Sequence, residues 1–543
     1  MGDDMLWSIE KPKNEMERIK DYEKGSKERE LLKKELDKVK GEILEIPLII
    51  DGKEIKTDEV QEVFCPHEKD RVLAKVHLAG EEELKMAIDA AQEAREGWTC
   101  LNWYHRAAVF RKAADLLAGP RRYRNIAAIM MNHSKNPYEA EIDLAELVDF
   151  WRINTYFMKF IYEQQPEQSE GEMNRLDWRP LEGFIFAIPP FNFYSIAGNL
   201  PSSPAIVGNT VLWKPSLNVS FSNYEIMKVM MEAGLKDGVI NFIPFPSEKS
   251  DIVFGSYNFA GLHFTGSYET LTFLWKKINS NIENYKNFPR IVGEAGGKDF
   301  IFIHESGEVR NTAINILRGG FGYQGQKCSA ASRVYCPKNY WNDLKDILLT
   351  EIKQITYGPV DKMEDYMGAV IDENAFKKIV EYIEYAKENP DRDEILYGGE
   401  YDDSEGWFIE PTIVKTTEPK GKLMSEEIFG PVVTIFVYDD DKFEETLHLC
   451  DETSPYALTG SIFAKDSEAI HLAENILRYA AGNLYINDKP TGAIVGRQPF
   501  GGARSSGTDD KAGHWVNLLR WLIPRTIKET ILPAKDWRRP FMK

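Results

Sequence analysis

The sequence predicts an α/β protein built on two doubly wound parallel-sheet domains, and three observations carry that expectation. From residue 183 to residue 277, strand-like and helix-like segments alternate, a rhythm that implies right-handed crossovers and a parallel sheet. A second alternating stretch runs from residue 301 to about residue 477. The chain has 543 residues, more than one core usually supports, so two or three domains with room for an enclosed site are expected.

Residues 9–40 alternate Lys and Glu densely and read as a solvated amino-terminal helix. Residues 47–55 and 62–76 read as short strands or hairpin arms, and helices come next at 81–95 and 105–117. One long helix is predicted over 138–164, carrying Asp143, Glu146, Asp149 and Arg152 at every third position. At about 100° per residue, successive members rotate by about 60°, so the four cannot share one solvated face. At least one looks into the protein, either as a site group or as half of a buried ion pair such as one between Asp149 and Arg152. After a polar segment at 165–179 come strand 183–188, helix 198–207, strand 210–214, helix 222–233, strands 240–244 and 261–265, and a helix ending at 277. Sheets of this kind bind nucleotides beyond the carboxyl ends of their strands.

Composition narrows the function. A net charge of −19 repels phosphate backbones and anionic lipid, which argues against nucleic acid and membrane surfaces as partners. The five cysteines, Cys65, Cys100, Cys328, Cys336 and Cys450, lie far apart with no CxxC pair, so neither a disulfide framework nor a zinc site is indicated. The nine histidines form no HExxH string, and no metal is assigned. Asp3 and Asp4 disfavour both a secretory signal and a mitochondrial transit peptide, which makes the cytoplasm the expected location. Gly2 is followed by Leu6 where myristoylation wants Ser or Thr. The apolar stretch 184–213 is broken by Pro189, Pro190, Pro201 and Pro204 and cannot be a single spanning helix.

Two segments carry chemistry. YQGQKCS at 323–329 offers a thiol at Cys328, and GEAGG at 293–297 offers a carboxylate at Glu294. A cysteine attack on a carbonyl needs a thiolate, and release of the acyl group needs a base for water. Small residues around Glu294 can dehydrate it and raise its pKa. By itself the pair allows a hydrolase, a transferase or an inert pocket. Asn192, after a strand in PPFNF, is a turn residue by composition, and its amide also suits an oxyanion hole. A formal GxGxxG at 320–325 is not a dinucleotide site, because a helix at 309–317 runs into it where the fingerprint requires a strand; its glycines let the backbone bend around Cys328.

FNF at 191–193, WKPS at 213–216, FTGS at 264–267, GEAGG, GQKCS at 325–329, EEIFGP at 426–431 and PFGG at 499–502, in this order, resemble the aldehyde dehydrogenase superfamily. The stretches GNLPSSPAIVGNTVLWKPS, FPRIVGEAGGK and AAGNLYINDKPTGAIVGRQPFGGAR look like its glutamate-semialdehyde-oxidising branch, over residues 27–537. The resemblance implies an NAD-dependent oxidation of L-glutamate γ-semialdehyde to L-glutamate in proline catabolism, through a cysteine thiohemiacetal and thioester. Cys328 is then the nucleophile, Glu294 the base, and Asn192 with the Cys328 N–H the oxyanion hole. Lys214 and Ser216 meet the adenosine ribose, Gly266 and Ser267 lie under the pyrophosphate, Glu427 and Phe429 hold the nicotinamide end, and Ile188 lies beside the cofactor. Ser216, where many relatives carry Glu, leaves room for NADP as a weaker alternative to NAD. Phe193 and Phe500 flank the substrate chain, Ser329 and Thr491, Gly492 and Ala493 receive its carboxylate, and Glu146 lies near its amino end. Ala493 departs from a usual Ser, a lost hydroxyl worth roughly 1–3 kcal/mol if the bond was charge-assisted.

The same resemblance divides the chain into an amino-terminal extension (1–40), an NAD-binding domain (41–164 and 180–297), a catalytic domain (298–480), a small β oligomerisation arm (165–179 and 524–533) and a return segment with the substrate-anchor loop (481–523). The arm implies a homodimer or higher oligomer by strand addition. A proline dehydrogenase partner is left open. Three other readings compete: another carboxylated aldehyde such as succinate semialdehyde as substrate, a non-catalytic relative that retains the fold, and a plain thiol hydrolase, which leaves WKPS and FTGS unexplained.

Overall fold

The computed structural model describes residues 9–11 and 17–543. Two seven-stranded sheets organise the chain. In the first, Arg290–Glu294, Phe259–Thr265, Phe184–Ile188, Thr210–Trp213 and Ile240–Phe242 lie side by side in parallel, and the antiparallel strands Leu48–Ile50 and Lys53–Ile55 complete one edge. The chain moves outward from Phe184–Ile188 in one direction and later returns to add Phe259–Thr265 on its other side. That reversal opens a crevice beyond the strand ends, where Ile188 and Gly266 emerge. The second sheet runs Asp393–Tyr397, Thr412–Thr416, Val432–Tyr438, Ala331–Pro337, Asp299–Ile303, Thr459–Phe463, Asn483–Ile486, parallel except for its first strand. Its last strand lies beyond residue 480, the expected end of that domain. Strands of both sheets are buried almost throughout, as expected where helices cover both faces. Among the described residues no helix is long and apolar enough to cross a membrane.

The helix Pro137–Tyr162 starts as its sequence dictates, with Pro137 in the first turn and the Asn136 side chain accepting from the Glu139 N–H at 2.8 Å. Of its four regularly spaced charges, Asp143 and Asp149 are buried, Glu146 is half-buried and Arg152 is partly exposed. Asp143 is fully buried and pairs with Lys135 Nζ at 2.6 Å. Asp149 and Arg152 do not pair with each other: the Glu17 N–H donates to Asp149 at 3.1 Å, and Arg152 binds Glu17 Oε2 at 2.8 Å. The next helix, Tyr194–Ile206, begins four residues before its predicted start because Asp143 accepts from the Tyr194 and Ser195 N–H groups, both at 2.9 Å, and so caps it from another helix. Pro204 within it cannot donate to the Leu200 carbonyl, and His263 Nδ1 takes that carbonyl at 2.9 Å instead.

Two expectations need correction. The helix Arg122–His133 was not foreseen: nearly every residue in it is buried, so it shows no polar face to betray its period. The amino-terminal helix, Lys27–Lys40, is not a solvated rod. Ser26 caps it, and Leu32, Leu36 and Val39 bury one side against Arg122–His133. Its charge-rich composition concealed a narrow apolar stripe spaced at four and three. The segment Glu172–Pro180 pairs antiparallel with Leu522–Thr530 as a separate two-stranded ribbon, the form expected of the arm. Replacing Leu36 by Ala should cost about 2–5 kcal/mol, read as a clear fall in melting temperature. A helix lying free in solvent would show a change within about 0.5 kcal/mol.

Candidate active site

Cys328 lies in the connection between helix Val309–Phe321 and strand Ala331–Pro337. The helix does run into the formal GxGxxG and gives way there to a tight left-handed turn: Tyr323 (φ 52°, ψ 41°), Gln324 (φ 56°, ψ 28°) and Gly325 (φ 66°). Each non-glycine residue held there costs about 1–2 kcal/mol, which the surroundings must offset. The Gln324 side-chain amide donates to the carbonyls of Ser134 and Ala369 at 2.9 and 2.8 Å. Gln326 Oε1 accepts from the Ile371 N–H at 2.9 Å, and the Gln326 carbonyl accepts from the Asn192 side-chain amide at 3.1 Å. Only glycine fits at position 325, because a Cβ there would sit 2.3 Å from the Gly430 carbonyl oxygen.

Glu294 ends the strand Arg290–Glu294 at the carboxyl edge of the first sheet. Residues 505–513 fold over that edge strand: the Ala295 N–H donates to the Ser506 carbonyl at 2.8 Å, the Thr508 N–H to the Gly293 carbonyl at 2.9 Å, and Glu294 forms a bridge with Gly507. Burial, helped by Asp509 and opposed by Lys511, pushes the Glu294 carboxyl well above the usual carboxylate range, and its Oε1 has no hydrogen-bond partner. Burial also pushes the Cys328 thiol well up, with Glu294, Asp299 and Glu427 adding to the effect. Burial thus disfavours charge on both groups.

The two open into one cavity of about 410 Å³. Its lining includes every residue to which a substrate role was given by resemblance: Glu146, Phe193, Ser329, Thr491, Gly492, Ala493 and Phe500. Glu146 accepts from Ser195 Oγ at 2.9 Å, and burial, with Asp143 adding, raises its carboxyl to about 7. Asn192 does not line the cavity; it is buried behind it on Gln326. Lys135 joins the two halves of the site, its ammonium 4.4 Å from the Phe193 ring centre and 4.3 Å from that of Tyr323.

The residues assigned to a cofactor collect at the strand ends of the first sheet and on the adjoining loop of the second. Ile188 ends one strand, Lys214 and Ser216 come just after the next, and Gly266 and Ser267 just after a third. Ser267 caps helix Tyr268–Ser280 by accepting from the Thr270 N–H at 3.2 Å, so a helix N-terminus faces the crevice. Lys214 is largely buried over the Phe245 ring at 5.4 Å, and burial lowers its pKa, an environment that an anionic group would relieve. Glu427 accepts from the Gly297 N–H at 2.9 Å, and Phe429, held at φ 60°, meets Phe191 edge-on at 5.9 Å. Among the described residues, the group with metal-ligand spacing, His67, Glu68 and Asp361, does not line the cavity, and Arg71 and Lys40 already pair with its carboxylates.

The aldehyde dehydrogenase family model matches residues 54–521. The chain belongs to that family. Among curated relatives, the mitochondrial delta-1-pyrroline-5-carboxylate dehydrogenase of Dictyostelium discoideum is 50% identical over 526 residues, covering 96% of this chain and 94% of the relative. The mitochondrial enzyme of that name from Homo sapiens is 43% identical over 525 residues, covering 96% and 93%. Among solved structures, the delta-pyrroline-5-carboxylate dehydrogenase of Mycobacterium tuberculosis bound with NAD superposes with a TM-score of 0.94 at 45% identity, covering 99% of each chain. The names of the first two overturn the cytoplasmic expectation drawn from Asp3 and Asp4. That expectation rested on two acidic residues near the start of the chain, which do not decide a compartment.

Sequence reasoning missed Glu17 and Ile19, which also line the cavity. Nothing in their local pattern marks them, since they reach the site through contacts with residues more than a hundred positions away. The raised Cys328 pKa predicts slow alkylation of this thiol by iodoacetamide in the cofactor-free protein at pH 7. The rate should still be climbing at pH 9, and a plateau below pH 8 would contradict the electrostatics described.

Proposed function

We propose that this dehydrogenase oxidises L-glutamate γ-semialdehyde, the open form of 1-pyrroline-5-carboxylate, to L-glutamate in proline catabolism, with NAD as hydride acceptor and NADP a weaker substitute. The observation that carries the reading is that the Cys328 thiol and the Glu294 carboxyl share one cavity with an acidic side chain, two phenyl rings and a backbone-rich loop. That set matches a short aldehyde bearing an ammonium and a carboxylate.

The Cys328 thiol gives up its proton to solvent as its sulfur bonds to the aldehyde carbon, and the charge that gathers on oxygen is met by the Asn192 amide and the Cys328 N–H. One N–H of the Asn192 amide is held by the Gln326 carbonyl at 3.1 Å, and its second N–H is the one that would have to reach the oxyanion. When bound, NAD supplies the acceptor for the hydride that leaves the same carbon, and Lys214, Ser216, Ser267, Gly266, Ile188, Glu427 and Phe429 would hold it. Glu294, in its carboxylate form, then takes a proton from water as the new C–O bond forms, and that proton passes to the sulfur as the C–S bond breaks, which returns the thiol. Ser329 and the N–H groups of Gly492 and Ala493 would take the substrate carboxylate, Phe193 and Phe500 its carbon chain, and Glu146 its ammonium.

We further read the ribbon of Glu172–Pro180 and Leu522–Thr530 as the contact of a homodimer by strand addition at its Leu522–Thr530 edge, since the side chains of Gln165 and Gln168 occupy the outer backbone groups of Asn174 and Leu176 on the other edge. The mitochondrial matrix is the compartment proposed, with a proline dehydrogenase as upstream partner.

NADH formation from 1-pyrroline-5-carboxylate should fall to background in Cys328→Ala; surviving turnover would refute the nucleophile. Equal or better turnover of succinate semialdehyde by the wild type would refute the substrate. The Glu146 carboxyl, raised to about 7, is ionised only above that pH, where it attracts the ammonium. KM should therefore fall from pH 6 to pH 8 in the wild type relative to Glu146→Gln, a comparison in which substrate ionisation cancels.

A further inference from the structure

Residues 17–22 lie outside the span that matches the family, yet Glu17 and Ile19 line the aldehyde cavity. The segment has no secondary structure of its own and is fixed by groups on two helices. The Glu17 N–H donates to both Asp149 oxygens at 3.1 and 3.2 Å, the Lys20 N–H to Glu141 Oε1 at 2.9 Å, and the Tyr22 hydroxyl to Glu141 Oε2 at 2.6 Å. Arg122, itself 2% exposed, donates to Glu17 Oε1 and to the Arg18 carbonyl, both at 2.7 Å, and Arg152 binds the other Glu17 oxygen at 2.8 Å. Most of these bonds involve a charged partner that is buried, the kind that holds an irregular segment in one place.

Ile19 lies between these anchors. It is 37% exposed and at the same time forms cavity wall, which places it at the boundary between cavity and solvent. The neighbouring wall is apolar, with Tyr138, Ile142, Phe150 and Ile196. An aldehyde with a long alkyl chain would find favourable surface there if the way outward were open. A short aldehyde held at its charged end by the loop 491–493 does not need that space.

We propose that residues 17–22 form the outer wall of the aldehyde cavity, and that Ile19 is the side chain limiting the length of aldehyde admitted. This inference rests on the dehydrogenase reading above and adds a specificity determinant to it. Because the wall lies outside the part of the chain matched by the family model, it restricts a cavity that the family core alone would leave more open.

The full-length protein, Ile19→Ala and Ile19→Trp are assayed with NAD on glutamate semialdehyde and on hexanal, and melting temperatures are compared to confirm equal folding. The Ala variant should raise the ratio of kcat/KM for hexanal over glutamate semialdehyde roughly tenfold, about what a methylene or two is worth in an apolar pocket, through KM rather than kcat. The Trp variant should move it in the opposite direction. A ratio unmoved in both variants, in an enzyme that does oxidise glutamate semialdehyde, overturns the wall. A wild type inactive on glutamate semialdehyde whose relative use of hexanal still shifts with residue 19 overturns the substrate and leaves the wall standing.

Discussion

The buried carboxylate of Asp143 is the constraint on which the site depends. Its two oxygens receive the Lys135 ammonium and the first two N–H groups of helix Tyr194–Ile206, so a single side chain joins two helices and a cation in the buried interior. The turn ahead of that helix carries Phe193 and Asn192, and Asn192 in turn grips the loop of Cys328. Lys135, held by Asp143, lies between the rings of Phe193 and Tyr323, one from each side of the site. Removing one member of a buried pair costs about 3–5 kcal/mol because the other is left uncompensated. Here that cost would be accompanied by loss of register between nucleophile and oxyanion donor.

Electrostatics at the centre share one pattern. Glu294, Glu427 and Cys328 are each pushed towards the neutral form chiefly by burial, and the two carboxyl groups add to the effect on Cys328. The strain in the turn at 323–325 belongs to the same arrangement: it is the geometry that brings Cys328 into the cavity, and it survives because Gln324 and Gln326 are engaged in directional bonds.

Much of this was legible in the sequence, for reasons that can be named. The strands of both sheets are short apolar runs punctuated by Gly, Pro and Asn, and Cys328 and Glu294 stand in small-residue surroundings that a core rarely uses. The four charges spaced by three in the long helix pointed correctly to an inward-facing acid, although not to the one that caps its neighbour. What escaped was set by tertiary context. The helix Arg122–His133 is buried all round and has no polar face to reveal it, and the apolar stripe of Lys27–Lys40 was outnumbered by its charges. Residues 17–22 are irregular, and their place is dictated wholly by Arg122, Glu141 and Asp149, which no local reading could supply.

The strand Arg290–Glu294 stands at the outer edge of its sheet and is covered by residues 505–508. A chain emerging from the ribosome therefore presents that strand with one side of its backbone unpaired until some two hundred further residues have been made. During this interval the exposed edge is a template for pairing with another nascent copy. The segment that helps raise the Glu294 pKa is thus also the one that ends this vulnerability, and truncations near the carboxyl terminus should be more damaging to solubility than their small size suggests.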